Sequence, residues 1–228
     1  MKPSEIAKLS LEELDQQVLN HANKNITSPI ELAIEAIHEF DEWKLLKIIN
    51  DQIALNGFDK VLFEFIIQLL ERIGILWQAS AITPANEHFA SNLIRQKIIS
   101  VIDQLEPVVV KENKCLLFLP EGEIHELDLL MTHYMLKKRG FHCLYLGSTV
   151  TLVDLVDLAK DYDPTYYISN TTNNIGVNVS DYLVQLKRHI PSKKTHLTGA
   201  LVRDTNFEID PSFNTYSSTK ELIDSIAK

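Results

Sequence analysis

The sequence predicts two successive architectures, a helical bundle over residues 1–108 and a layered α/β domain with a five-stranded parallel sheet over residues 109–228. Three observations predict them. Residues 1 to about 106 carry helix signals only. From about Lys114, short apolar runs alternate with amphipathic stretches, the mark of strands joined by helical crossovers. The runs are apolar throughout rather than alternating, as in strands buried on both faces.

The bundle is predicted element by element. "SLEE" (Ser10 to Glu13) and "SPIE" (Ser28 to Glu31) are capping boxes, the second with Pro29 at the first helical position. "FDEWKLLKIINDQIALNG" keeps helical spacing and stops at Gly57, a C-terminal glycine. "DKVLFEFIIQLLERIGILW" is apolar on nearly every face and is expected at the bundle centre. "TPANEHFASNLIRQKIISVIDQL" is the fifth helix, capped by Thr83 with Pro84 inside it. "VVVKEN" (Val108 to Asn113) is the best linker.

In the second half, strands are expected at 115–119, 142–146, 165–169, 194–198 and, weakly, 214–217. Helices are expected at about 125–139, 151–161, 178–190 and 219–227. Such a chain suits a flavodoxin-like, Rossmann-type order 2-1-3-4-5. Ligands of these sheets bind outside the carboxyl ends of the strands, at the switch point beside strand one.

Composition narrows the function. The 228 residues are 45% hydrophobic and 23% charged, with a net charge of −9. That acidity argues against this chain gripping nucleic acid by itself, because such binding rests on neutralising phosphates. The first ten residues lack a signal-peptide core, and no apolar run approaches a membrane span, so the cytoplasm is the expected compartment and no membrane contact is expected. Cys115 and Cys143 have no metal-type spacing and read as buried thiols. No nucleophile elbow, phosphate loop or paired-carboxylate arrangement stands out, and no enzymatic role is expected.

"CLLFLPEGEIHELDLL" (Cys115 to Leu130) places His125 at the lip of a buried strand, two residues after Glu123. Two readings stand. His125 is an idle residue of a loop or first helical turn, with Glu123 and Glu126 merely favouring the positive helix end. Or it is a metal ligand whose second ring nitrogen meets the Glu123 carboxylate. One histidine cannot hold a bare zinc ion. A single protein ligand suits a metal already held by a macrocycle.

At these residues the second half resembles cobalamin-binding domains of the methionine-synthase and mutase type. The family motif (Asp or Glu, any residue, His, two residues, Gly) appears here as Glu123-Ile-His125-Glu-Leu-Asp128. The resemblance implies that His125 is the lower axial ligand of cobalt and Glu123 its hydrogen-bond partner. It also implies that Ser148 and Val150 of Ser148-Thr149-Val150, together with Gly199-Ala200 and Ser169, lie along the nucleotide tail and its base. Asp128 and Ala200 stand where the family has glycines that let backbone approach the tail.

The helical half is similar to the bundle of cobalamin photoreceptors, which carry Trp, nine residues, then Glu-His. Here the string is Trp77-"QASAITPAN"-Glu87-His88. The resemblance implies that Trp77, Glu87 and His88 cover the upper face of the corrin. With "LLERIGILW", "PANEHFASNLIRQKI" and "IHELDLL", the whole chain resembles the sensor region of MerR-type regulators of the carotenogenesis-repressor and light-responsive kind. The implied cofactor is adenosyl- or methylcobalamin, clamped between bundle and α/β domain and coupled to self-association into dimers or tetramers. Members bind DNA through an N-terminal winged helix-turn-helix that this chain lacks; "KPSEIAKLSLEEL" is similar to the segment just beyond it. Gln78 stands where the photoreceptors have a histidine, so light sensing is not supported.

Two other readings remain open at this point. One is a corrinoid methyl carrier, which also needs His125. The other is a ligand-free interaction module, motivated by Asp128 and Ala200. Among the remaining histidines, His133 is read as packing or solvent-facing, His142 and His196 as structural, and His21, His38 and His189 as surface. "NTTNNIG" (Asn170 to Gly176) is either a lip over the cofactor tail or a plain loop.

Overall fold

The computed structural model describes residues 28–106, 112–171, 179–204 and 207–226. The capping box at Ser10, the helix it starts, His21, linker residues 108–111 and residues 172–176 of the polar loop lie outside the described residues. The chain divides into two compact units, Met1–Ile94 and Arg95–Lys228.

In the first unit, α1 (Pro29–His38) starts as predicted. Ser28 Oγ accepts from the Glu31 N–H at 3.2 Å, and Pro29 takes the first turn. Asp41 caps α2 (Glu42–Asn56) by accepting from the Lys44 N–H at 2.9 Å. Gly57 ends it at φ 77°, a left-handed value that needs no Cβ. Next come α3 (Phe58–Val61), a π-helical segment (Leu62–Ile66) and α4 (Ile67–Gln78). The expected central helix is thus one run interrupted by a π turn. Its buried stripe is Leu62, Ile66, Leu69 and Ile73, at helical spacing. Ile75 and Trp77 fall off that stripe and are 58% and 51% exposed, so the run is not buried all round.

The 20-residue α5 (Pro84–Asp103) begins with a reciprocal cap. Thr83 Oγ1 accepts from the Asn86 N–H at 3.3 Å, and Asn86 Oδ1 accepts from the Thr83 N–H at 3.0 Å. This is a capping box with asparagine in the acid's place. Asn86 is buried, and its amide donates to the Ile37 carbonyl at 2.8 Å, tying α5 to α1.

In the second unit, β1 (Lys114–Pro120), β2 (His142–Val150), β3 (Tyr166–Asn170), β4 (Thr195–Thr198) and β5 (Asn214–Thr215) form one sheet of order β2-β1-β3-β4-β5. Every pairing is parallel. This is the predicted order. The crossovers are α6 (Leu127–Lys138), α7 (Leu152–Tyr162) and α8 (Val179–His189); the two-turn α10 (Thr219–Ile226) closes the chain. A one-turn helix, α9 (Ala200–Arg203), and a 3-10 turn (Ser192–Lys194) add to the prediction. Six of the seven β1 residues are buried. Leu116 and Phe118 anchor a core with Tyr167, Leu186 and Leu197. Each such burial stabilises by about 1.5–3 kcal/mol.

Because β2 lies on one side of β1 and β3 on the other, the connections after β1 and β3 diverge. The crevice that results opens at the carboxyl end of β1. No helix among the described residues is long and apolar enough to cross a membrane.

Candidate functional site

The segment after β1 is built by a turn. The Glu123 N–H donates to the Pro120 carbonyl at 3.0 Å, and Gly122 sits at φ 83°, where a type II turn needs glycine. The turn brings Glu123 back under the strand end, where it is 1% exposed. Its Oε1 lies 2.7 Å from His125 Nδ1 and accepts from the N–H groups of Ile124 and His125, each at 2.9 Å. A buried carboxylate thus fixes both the backbone and the ring of His125. The imidazole is 57% exposed. With Nδ1 engaged, Nε2 is the ring nitrogen left for a ligand. His125 lies in the loop; α6 starts at Leu127.

The next residue is held as firmly. Glu126 Oε1 accepts from Arg95 Nε of α5, and Oε2 accepts from Tyr145 Oη of β2 at 2.9 Å. Tyr145 stacks on His133 at 4.9 Å and 13°. Burial holds His133 near 4, helped by Lys137, and pushes the Tyr145 phenol upward, helped by Glu126. Sequence reasoning gave Glu126 no role beyond the helix dipole and missed Arg95 and Tyr145 altogether. The only signal was the acid beside His125; its partners are 31 and 19 positions away.

Ser148 and Val150 are not placed after strand two, as expected, but within its last three residues. The β1–β2 register slips between Leu117 and Phe118 and again between Phe118 and Pro120. Gly147 and Thr149 adopt φ 79° and 58° there. Irregular pairing re-aims these side chains: Ser148 is half-buried, Thr149 exposed, and Val150 packs against the core.

At the end of β3, Ser169 and Asn170 are 1% and 2% exposed. Among the described residues, Ser169 Oγ and both amide atoms of Asn170 have no hydrogen-bond partner. Unsatisfied buried polar atoms are costly and uncommon, and they fit a polar guest at this strand end. Asn170, read as the first residue of a segment that is either a lip over the cofactor tail or a plain loop, is the last residue of β3.

Gly199 follows β4 and precedes α9. At φ 110°, its added Cβ would lie 2.4 Å from the Thr171 carbonyl oxygen. The glycine therefore serves the close approach of β4's end to Thr171, whose N–H donates to the Thr198 carbonyl at 2.8 Å. Ala200 is exposed at the start of α9. Asp128 is half-buried in the first turn of α6. Burial raises its carboxyl above the ordinary range, and the positive charge of Arg203 partly opposes this.

In the first unit, Trp77 lies at the end of α4 and is half-exposed, unlike a core tryptophan. In the first turn of α5, His88 Nδ1 lies 2.9 Å from Glu87 Oε2, with the His88 side chain 72% exposed. Ser91 Oγ donates to Glu87 Oε1 at 2.5 Å. Among the described residues, no group of three or more His, Cys, Asp and Glu is placed to hold a bare metal ion.

Comparison with known proteins gives the same direction. Residues 30–101 match the B12 binding domain family, so the matched stretch is the helical one. The chain is 25% identical over 166 residues to the HTH-type transcriptional repressor CarH of Myxococcus xanthus, covering 71% of this chain and 54% of CarH. It is 30% identical over 105 residues to the repressor CarA of the same organism, covering 46% of this chain and 34% of CarA. The chain thus spans about half or less of the length of these relatives. The Methanosarcina barkeri monomethylamine corrinoid protein has the same fold, with a TM-score of 0.69 and 16% identity over 86% of this chain and 95% of that one.

Proposed function

We propose that this chain binds cobalamin, as adenosyl- or methylcobalamin, and works as the sensing part of a transcriptional regulator. The observation that carries the reading is the Glu123–His125 pair: a buried carboxylate orienting one exposed imidazole, with no cluster of metal-ligating side chains around it among the described residues. A single ligand of this kind suits a metal whose equatorial positions a macrocycle already fills. His125 Nε2 would then hold the cobalt, and donation from its Nδ1–H to Glu123 would raise its basicity. The unpartnered Ser169 and Asn170 side chains support a polar guest beside it. Ser148, Val150, Gly199 and Ala200 are proposed along the nucleotide tail. Trp77, Glu87 and His88 are the helical unit's proposed contribution. A bound corrin would supply a cobalt able to exchange a ligand, and His125 would hold and orient it. The likeness to two repressors supports a regulatory role, with cofactor occupancy setting self-association to dimers or tetramers. DNA contact then belongs to a separate winged-helix domain.

The test is a visible absorption spectrum. The protein is mixed in the dark with adenosyl-, methyl- and hydroxocobalamin, freed of unbound cofactor, and compared with His125→Ala. Retained colour with a histidine-ligated spectrum, lost in the variant, supports the reading. No retained colour with any form overturns it. A second reading, a fold kept for protein contacts alone, is favoured by Asp128, whose half-buried carboxyl replaces a small residue expected beside the tail.

A further inference from the structure

The residue after His125 is anchored more heavily than a helix cap requires. Glu126 is the N-cap of α6, and its carbonyl accepts from the Leu130 N–H at 2.9 Å. Its own N–H donates to the Ile124 carbonyl at 2.9 Å. Its carboxylate, 13% exposed, is taken on one oxygen by Arg95 and on the other by Tyr145. Gly147 packs beside this pair; a Cβ there would make ordinary contacts, 3.5 Å from the Tyr145 ring and 3.9 Å from Glu126 Oε2, so its φ of 79° rather than space favours glycine. No caps at all are needed from so many elements; the arrangement ties the His125 loop to α5 and β2 together. Charge-assisted bonds to a nearly buried carboxylate are stronger and more directional than surface pairs.

On α5, Arg95 lies four residues after Ser91 and eight after Glu87. At 3.6 residues per turn these three share one face. Ser91 bonds to Glu87 at one end of that stripe, and Arg95 bonds to Glu126 at the other.

We propose that Arg95 and Glu126 are positioning residues that act through His125, coupling the loop that carries it to the Arg95 turn of α5 and to β2. This rests on the proposed cobalamin function. The Arg95 and Tyr145 donors hold the Glu126 side chain from two elements, which restrains the backbone next to His125. Without the Arg95 guanidinium, the Glu126 carboxylate loses one of its two side-chain donors, and the loop gains freedom.

The test has two arms. In the cofactor-free protein, amide hydrogen exchange of Gly122–Glu126 is compared between wild type, Arg95→Met and Arg95→Lys. Expected is exchange about tenfold faster in Arg95→Met, partly restored in Arg95→Lys, with the far sheet unchanged. Unchanged loop exchange in Arg95→Met overturns the positioning role whether or not cobalamin binds. In the loaded protein, Arg95→Met and Glu126→Gln are each expected to weaken cobalamin retention about tenfold. In a His125→Ala background both are expected to have no further effect, the non-additivity of residues acting through one group. Equal effects in both backgrounds overturn the coupling. A wild type that retains no cobalamin overturns the functional reading and the coupling with it, while the exchange arm still decides the positioning role.

Discussion

Glu123 Oε1 lies 2.7 Å from His125 Nδ1, with the acid buried and the imidazole exposed. The same oxygen holds two backbone N–H groups, so the loop and the ring share one anchor. Glu123→Gln keeps the shape and removes the charge. It is expected to weaken cobalamin retention by roughly 10–100-fold, as loss of a ligand's orienting partner does. Equilibrium titration of the absorption change checks it, and unchanged affinity would show that the carboxylate serves the loop only.

Asp128 is expected to limit affinity. Its carboxyl is desolvated and only partly offset by Arg203. Asp128→Gly is expected to raise cobalamin affinity by about tenfold, roughly 1.4 kcal/mol, while costing the helix up to about 1 kcal/mol of stability. The comparison with cobinamide, which lacks the nucleotide tail, locates the effect. A gain for cobalamin alone places Asp128 at the tail; equal gains for both ligands refute that placement.

Gly199→Ala is expected to destabilise the second unit by about 2–4 kcal/mol, because backbone rather than a movable side chain meets the new Cβ. Urea denaturation of the cofactor-free protein measures it. A loss under about 0.5 kcal/mol would mean that β4's end moves freely away from Thr171.

Acid is expected to weaken the fold between pH 6.5 and 4. Burial holds His196 at about 4, while an unfolded imidazole titrates near 6.5. Between these values the unfolded chain binds more protons, so stability is complete above about 6.5 and is lost as pH falls toward 4. His196 supplies up to about 3 kcal/mol of this, and His133 acts in the same direction. Urea midpoints at pH 7 and 4.5 test it; His196→Gln is expected to flatten the difference, and an unaltered slope would remove His196 from the account.

Cys115 and Cys143 are register partners on β1 and β2, a proximity their 28-residue separation does not show. Hydrogen bonding to Cys143, then burial, pushes the Cys115 thiol far up. Disulfide-exchange labelling of Cys115 in the native protein is expected to be on the order of 100-fold slower than in urea. Labelling at the unfolded rate would show that β1 opens readily.

The fold was legible because its signals are local. Ser28, Gly57 and Thr83 mark helix ends through bonds to residues within four positions. The unbroken apolar run at β1 announced a strand buried on both faces. The strand order, β2-β1-β3-β4-β5, is the one that five alternating strand and helix units suggest. Half of the loop geometry was legible too, since Glu123 and His125 are two residues apart.

By itself, the sequence determined the two architectures, the sheet order, and the glutamate–histidine pair at the end of β1. Only the tertiary structure decided that Arg95 and Tyr145 share Glu126, that Gly199 answers to Thr171, and that Ser169 and Asn170 are buried without partners among the described residues. The reason is range. A cap or a period is written within one or two helical turns, where chain connectivity fixes the distance. The partners of Glu126 come from a helix before it and a strand after it, and packing alone brings them together.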